Sequence, residues 1–130
     1  MSHYLYGLMP AGAVPAGRVD GVEGLRGAPV SVCPIGDVAV IRSDHDGGEI
    51  LRTRRHMQAH TRVLERLVEL GPVLPMRFGL VAAAPGEIAP LIHAAGDRIA
   101  AEFERIDGLV EIGVRIAWPR AAALARLLEA

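Results

Sequence analysis

The chain has 130 residues, of which 51% are hydrophobic and 22% are charged, and its formal net charge is −1. This is the balance of one globular domain with its own core, and it excludes a largely disordered chain. The near-neutral charge also argues against a general nucleic-acid or anionic-membrane binder, because both need a basic excess. The single cysteine allows no internal disulfide, and the sequence shows neither a signal peptide nor a membrane-spanning apolar run, so we expect a cytoplasmic protein.

The first third of the chain alternates between short apolar runs and turn residues. Residues 3–8 are rich in tyrosine and alternate weakly, which predicts a first strand. Residues 9–28 are rich in glycine and have no sustained period, so they are predicted to form a long connection. The apolar runs 29–35 and 38–42 flank Gly36-Asp37, which predicts a hairpin closed by a type II′ turn.

A polar stretch, residues 43–48, separates this hairpin from the first helix. It contains Asp44, His45 and Asp46, whose side chains are of types that bind metals, but their spacing matches no established ligand pattern. We therefore predict a solvated turn, with a helix cap supplied by Ser43 or Asp44.

Residues 50–70 are predicted to form an amphipathic helix that ends at Gly71-Pro72. Its apolar stripe comprises Met57, His60, Val63, Leu64, Leu67 and Val68. His56 and His60 have the i, i+4 spacing of zinc ligands on a helix. Because His60 lies on the apolar stripe, we interpret it instead as a structural histidine with its ring packed in the core.

Every basic residue of the chain is an arginine, and several of them lie on this helix. Arg52, Arg54 and Arg55 fall in its first turns, where each cation opposes the helix dipole at a cost of a few tenths to about 1 kcal/mol. This placement favours partner-binding arginines, with a screened surface cluster as the alternative. Along the polar face, two ion pairs are predicted at a spacing of three residues, Arg62–Glu65 and Arg66–Glu69.

Residues 73–81 are predicted to form a strand, with Pro75 marking it as an edge. Arg77 falls in the middle of this strand on the face opposite the core residues, so its charge must reach water or an acidic group. Glu111 is the predicted structural partner of Arg77 if their strands adjoin, and binding of another protein is the second interpretation.

The remaining elements are a helix over residues 87–106, a strand over residues 109–118 and a terminal helix over residues 120–129. The order of elements is then β-β-β-α-β-α-β-α. This order predicts an α+β fold, a two-layer sandwich in which a mixed sheet carries helices on one face, with ferredoxin-like character. We expect residues 1–130 to form a single domain.

The sequence carries no established catalytic motif. It lacks the G-x-S-x-G elbow, the phosphate loop, the dinucleotide glycine fingerprint and the C-x-x-C pair. Cys33 lies in an apolar run, which is typical of a buried and inert thiol. We therefore predict no catalytic residue, no metal and no cofactor. The alternative is a small ferredoxin-like enzyme or ligand-binding module, which would need a pocket with convergent polar groups.

Several motifs, taken in order, resemble one known family. The spacing H-x-x-V-L-E-x-L over residues 60–67 is followed by P-V-L-P-M-R-F-G over residues 72–79. Shorter pieces are Y-L-Y-G over residues 4–7, P-V-S-V from Pro29 and V-E-I-G-V over residues 110–114. Together they resemble the gas vesicle protein F/L (GvpF/GvpL) family, and the block over residues 72–79 is the most specific of them.

The resemblance implies a non-enzymatic accessory or minor structural protein of gas vesicle assembly, found in the cytoplasm and at the gas vesicle. It implies the small, hydrophobic vesicle shell protein as a partner, with other vesicle accessory proteins as further candidates. Members of the family usually continue into a second α+β domain, whereas this sequence stops at Ala130. We therefore expect the N-terminal domain of such a protein, with an unpaired face that could support a homo-oligomer.

Overall fold

The computed structural model describes residues 2–14 and 17–110. The strands are β1 Ser2–Pro10, β2 Gly17–Glu23, β3 Pro29–Ile35, β4 Val38–His45, β5 Leu74–Pro75 and β6 Val81–Ala82. The helices are α1 Arg54–Leu70, α2 Pro85–Ala94 and α3 Gly96–Val110, with short 3₁₀ turns at Ala11–Ala13 and Leu25–Gly27.

The six strands form one sheet in the order β2-β3-β4-β1-β5, and β6 also pairs with β1. Every pairing among these strands is antiparallel. β1 is central because β4 pairs along its whole length on one side, while β5 and β6 share its other side. The register between β1 and β4 shifts between Leu5 and Gly7, so Tyr6 is the extra residue of a β-bulge.

Helices cover both faces of this sheet. One face packs against α1 through Tyr4, Tyr6, Met9, Val30, Val32, Ile41, Ala59, Val63, Leu64 and Leu67. The other face packs against α2 and α3 through Leu5, Leu8, Val38, Val40, Leu74, Met76, Ile88, Ile92, Ile99, Phe103 and Ile106. The predicted α+β fold is confirmed. The helices lie on two faces rather than one because successive residues of β1 and β4 are buried, and such strands need cover on both sides.

The predicted hairpin is confirmed, and β4 extends three residues further than expected. β3 and β4 pair continuously from Val30 with Ser43 to Ile35 with Val38. Gly36 has a φ of +60°, which the first position of a type II′ turn requires.

The prediction of one long connection over residues 9–28 is wrong, because residues 17–23 form the edge strand β2. Its pairing with β3 is interrupted between Arg18 and Glu23. Gly17 and Gly21 have φ values of +113° and +86°, and they disrupt the alternation that would identify a strand. α1 helps to hold this strand, since Arg66 Nε donates a hydrogen bond to the Asp20 carbonyl oxygen at 3.1 Å.

The prediction of one strand over residues 73–81 is also wrong. Two short strands, β5 and β6, flank a loop that contains Arg77, which is therefore not mid-strand. Pro75 has no amide hydrogen to continue a ladder, and Gly79 turns the chain with a φ of +91°. Phe78 consequently packs with the core on the α1 side, whereas Leu74 and Met76 pack on the α2 and α3 side.

The helix predicted over residues 50–70 begins at Arg54, and its cap is Thr53 rather than Ser43 or Asp44. The Thr53 hydroxyl accepts a hydrogen bond from the His56 amide at 3.2 Å. Ser43 is unavailable as a cap because it is buried within β4, where its hydroxyl bonds to Tyr6.

We expect Thr53→Ala to lower the free energy of unfolding by about 1 kcal/mol, the usual cost of losing an N-cap hydroxyl. Urea denaturation would measure it. Thr61→Ala is the matched control, since Thr61 lies within α1 on its outer side and caps nothing. Equal stability of both variants would contradict the assignment of Thr53 as the cap.

The helix predicted over residues 87–106 is two helices, α2 and α3, which meet at Ala95. Pro90 lies inside α2, not in the first turn of a long helix. α3 continues through Val110, so the prediction that a strand starts at residue 109 is wrong. The rest of that strand, Glu111 and the predicted terminal helix lie outside the described residues.

Candidate partner-binding surface

A buried polar network ties the loop between β5 and β6 to α1 and β1. The Tyr4 hydroxyl bonds to His60 Nδ1 at 2.8 Å, and His60 Nε2 bonds to the Met76 carbonyl oxygen at 3.0 Å. The Gly79 amide donates to the Tyr4 hydroxyl at 3.0 Å. Because the Met76 carbonyl can only accept, Nε2 carries the proton, and Nδ1 accepts from Tyr4. Each buried polar side chain of the network is thereby satisfied.

The rings of this network also pack on one another. Tyr4 and Tyr6 have centroids 4.9 Å apart, and the His60 ring lies 5.8 Å from Phe78 in an edge-to-face arrangement. Only 5% of His60 is exposed and Tyr4 is fully buried. Burial lowers the pKa of His60, opposed by its bond to the Met76 carbonyl, and burial raises the pKa of Tyr4 well above its usual range. His60 is therefore neutral near pH 7.

The lowered pKa of His60 predicts a loss of stability in mild acid. In the unfolded chain the imidazole takes up a proton near its ordinary pKa of 6.5, whereas the folded protein resists protonation. The free energy of unfolding should therefore fall as the pH drops below about 6.5.

Urea denaturation at several pH values would measure this effect, and His60→Gln should flatten the pH dependence. His3 is a matched control. Its pKa is lowered first by burial and then by the Arg42 charge, but His3 is far less buried, so His3→Gln should leave most of the slope. An unchanged slope in His60→Gln would contradict a neutral, buried His60.

A second network holds the turn before β3 against Tyr6. The Tyr6 hydroxyl bonds to Ser43 Oγ at 2.7 Å and accepts a hydrogen bond from the Leu25 amide at 3.0 Å. Burial raises the pKa of the Tyr6 phenol, which keeps it neutral. Gly24 comes so close to this hydroxyl that an added Cβ would overlap it. Glycine is therefore required at position 24 for steric reasons.

The alternative of an enzyme or ligand-binding module requires a pocket that joins several of Tyr4, Tyr6, His60, Arg77 and Glu111, of which Glu111 lies outside the described residues. The tyrosines and His60 instead bond to one another and to the backbone beneath the surface. The polar turn of residues 43–48 is likewise occupied by local contacts. His45 Nε2 bonds to the Gly48 carbonyl oxygen at 2.7 Å, Asp46 accepts from Arg26, and Asp44 pairs with Arg42. In the described part of the chain, no three His, Cys, Asp or Glu side chains are grouped to hold a metal.

The predicted partner-binding arginines lie at the start of α1 and in the loop between β5 and β6. The guanidinium of Arg52 lies 5.8 Å above the Phe78 ring, so the start of α1 lies next to the loop that carries Arg77. Arg54 and Arg55 follow directly, and all four side chains are exposed. We call Arg52, Arg54, Arg55 and Arg77 the arginine surface. Arg52 was not among the predicted binding residues, although it lies in the same arginine cluster of the sequence.

The outward face of α1 adjoins the arginine surface. Met57 was predicted to lie in the core, but 43% of it is exposed, and Ala59 is buried in its place. Met57 precedes His60 by three residues, and this spacing places it at the edge of the apolar stripe, outside the part of the helix surface that is buried.

Of the two predicted ion pairs on α1, Arg66–Glu69 is confirmed at 2.8 Å. Arg62 and Glu65 do not pair within residues 2–14 and 17–110.

These observations define a class of protein: an α+β domain with an antiparallel sheet between helices, carrying exposed arginines around an aromatic loop. The chain belongs to the gas vesicle synthesis protein GvpL/GvpF family, whose sequence model matches residues 2–130. This is a family of gas vesicle proteins rather than of known enzymes. Across the described residues, each helix is too short or too polar to act as a transmembrane span.

Individual relatives agree with this assignment. The chain is 30% identical over 129 residues to gas vesicle protein F of Dolichospermum flosaquae, covering 97% of this chain and 51% of the relative. It is 29% identical to gas vesicle protein F1 of Halobacterium salinarum, covering 75% of this chain and 48% of the relative. The crystal structure of GvpF from Microcystis aeruginosa superposes with a TM-score of 0.70 at 28% identity, over 82% of this chain and 44% of that one. The chain thus spans about half the length of these relatives.

Proposed function

We propose that this domain acts in gas vesicle assembly as an accessory or minor structural protein, in the cytoplasm and at the vesicle. In this proposal it binds the small hydrophobic shell protein through the arginine surface, and it has no catalytic role. Membership of the GvpL/GvpF family supports the assembly role. The arginines add a physical reason for binding a protein partner.

The observation that carries the binding proposal is the convergence of two distant parts of the sequence. Arg54 and Arg55 begin α1, whereas Arg77 lies in the loop held by His60, and Arg52 contacts that loop through Phe78. Arg54 and Arg55 form no ion pair with the described residues, so their guanidinium groups are available to a partner. A guanidinium can bind a carboxylate through two parallel hydrogen bonds, which gives both affinity and orientation.

The same region offers apolar contact beside the charges. Leu51 is 57% exposed three residues before the start of α1, and Met57 is exposed at the end of its first turn. Phe78 is half-buried beneath Arg52. Exposed apolar groups bordered by arginines are typical of protein-binding surfaces, in which a small apolar centre is ringed by polar contacts. A hydrophobic shell protein with acidic side chains near its contact residues would match this surface.

The proposal is tested by co-purification of the shell protein with charge-reversed variants. Arg54→Glu, Arg55→Glu and Arg77→Glu, combined in one chain, should reduce the recovered shell protein at least about tenfold, because attraction becomes repulsion at each position. The control reverses two exposed arginines elsewhere, Arg18→Glu and Arg98→Glu, and should leave recovery unchanged. Equal losses in both variants, or none in either, would contradict a role for the arginine surface.

A further inference from the structure

We propose that a groove on the outward side of α1, here called the outer groove, binds an amphipathic helix of the partner, an inference that rests on the proposed function. This helix carries two carboxylates about two turns apart, with an aliphatic residue between them. The outer groove is the shallow depression on the outward side of α1 lined by Arg54, Met57, Gln58, Thr61, Arg62 and Glu65.

The residues that line the groove form a stripe long enough to contact a second helix. Its residues recur at alternating steps of three and one from position 54 to position 65, so they form one continuous stripe. At 1.5 Å per residue the stripe is about 16 Å long, which matches about three turns of a second helix. The buried residues Ala59, Val63 and Leu67 lie on the opposite side of α1, so the stripe is turned away from the core of the domain.

The charges of the groove specify an acidic partner. Arg54 and Arg62 are exposed and form no ion pair with any described residue, although the next arginine along, Arg66, pairs with Glu69. Eight residues separate them, which corresponds to about 12 Å along the axis. A partner helix that places two carboxylates two turns apart can meet both guanidinium groups at once. Glu65 follows at the far end and disfavours a third carboxylate there, which gives the partner helix a direction.

The apolar part of the groove lies between the two arginines. Met57 is the exposed hydrophobic residue at this point, and Thr61 adds a methyl group one turn further along. Methionine adapts its shape to different apolar partners, which suits a shallow contact. An aliphatic side chain on the partner, placed between its carboxylates, would cover Met57. A polyanion such as nucleic acid fits less well, because Glu65 interrupts the positive charge and the chain as a whole has a net charge of −1.

The test uses two synthetic helix-forming peptides that differ only in charge. One carries glutamates two turns apart around a leucine, and the other carries glutamines at the same positions. Fluorescence anisotropy with the full chain should show the glutamine peptide binding at least about tenfold more weakly. Arg54→Glu with Arg62→Glu should weaken binding of the glutamate peptide by a similar factor, and Met57→Ser should weaken both peptides. Arg98→Glu, on α3, is the control that should change neither.

Equal affinity of the two peptides would overturn the inference, and so would unchanged binding by the Arg54→Glu, Arg62→Glu variant. A self-associated chain that dissociates on Arg62→Glu would also overturn it, because the groove would then be occupied by a second copy.

Co-purification of the shell protein distinguishes failure of this inference from failure of the proposed function. If it co-purifies with Arg62→Glu as well as with the unmodified chain, the inference fails while the proposed function stands. If the glutamate peptide binds as predicted but the unmodified chain never recovers the shell protein, the groove is a helix-binding site and the proposed partner is wrong.

Discussion

Gly24→Ala should destabilise the domain by about 3 kcal/mol, at the upper end of the usual cost of overpacking a core. The added Cβ would overlap the Tyr6 hydroxyl and lie 3.0 Å from Cζ of the same ring. Tyr6 has nowhere to move, since it is fully buried and its hydroxyl is bonded to Ser43 and Leu25. Any displacement of the ring would therefore break hydrogen bonds as well as strain the core.

Gly12→Ala is the control for this substitution. A Cβ at Gly12 would meet no atom within 4 Å, so its effect should stay within about 0.5 kcal/mol. Chemical denaturation of both variants measures the difference. Similar stabilities for Gly24→Ala and Gly12→Ala would mean that the turn before β3 does not pack on Tyr6 as described.

His60→Ala should cost about 3–5 kcal/mol, comparable to truncating a buried aromatic residue. It removes a ring packed between Tyr4, Tyr6 and Phe78, and it leaves the proton of the Tyr4 hydroxyl without an acceptor and the Met76 carbonyl without its His60 donor. Because this network holds the loop that bears Arg77, the variant should also bind the shell protein more weakly under conditions where it remains folded.

A double-mutant cycle with Tyr4→Phe tests whether the two side chains act as a unit. Tyr4→Phe removes the hydroxyl that joins His60 to the Gly79 amide, so the combined variant should lose less stability than the sum of the two single changes. His93→Ala is the control, since His93 is exposed near the end of α2. Strict additivity of Tyr4→Phe and His60→Ala would show that the hydrogen bond between these residues contributes nothing.

The elements that sequence reasoning located correctly are those with a strong local signal. The β3–β4 hairpin has two apolar runs joined by Gly36-Asp37, and α1 has an apolar stripe over four turns. β2 and the β5–β6 segment were misread because their form depends on tertiary contacts. β2 is held by a hydrogen bond from Arg66 of α1 and by the pairing of its two ends with β3. The loop around Arg77 is held by the hydrogen bond between His60 and the Met76 carbonyl. Because these partners are distant in the sequence, the hydrophobic periodicity within the short segments does not indicate them.

The candidate surface likewise has some features that local sequence signals indicate and others that depend on tertiary contacts. The positions of Arg54 and Arg55 against the helix dipole are visible in the sequence, and the apolar stripe indicates that His60 is buried. That the segment leading into α1 lies next to the loop that carries Arg77 follows only from the packing of Arg52 over the Phe78 ring. The binding role of these arginines stays a prediction. The proposed pairing of Arg77 with Glu111 also stays a prediction, because Glu111 lies outside the described residues.

The central claim, that this domain binds the vesicle shell protein, is tested most directly by producing the two proteins together and recovering the domain by affinity from the soluble fraction. We predict that the shell protein stays soluble in its presence and is recovered with it. We also predict that 1 M salt weakens the recovery, because arginine–carboxylate contacts are screened at that ionic strength. A shell protein that remains insoluble and is absent from the recovered fraction would contradict the claim for this domain.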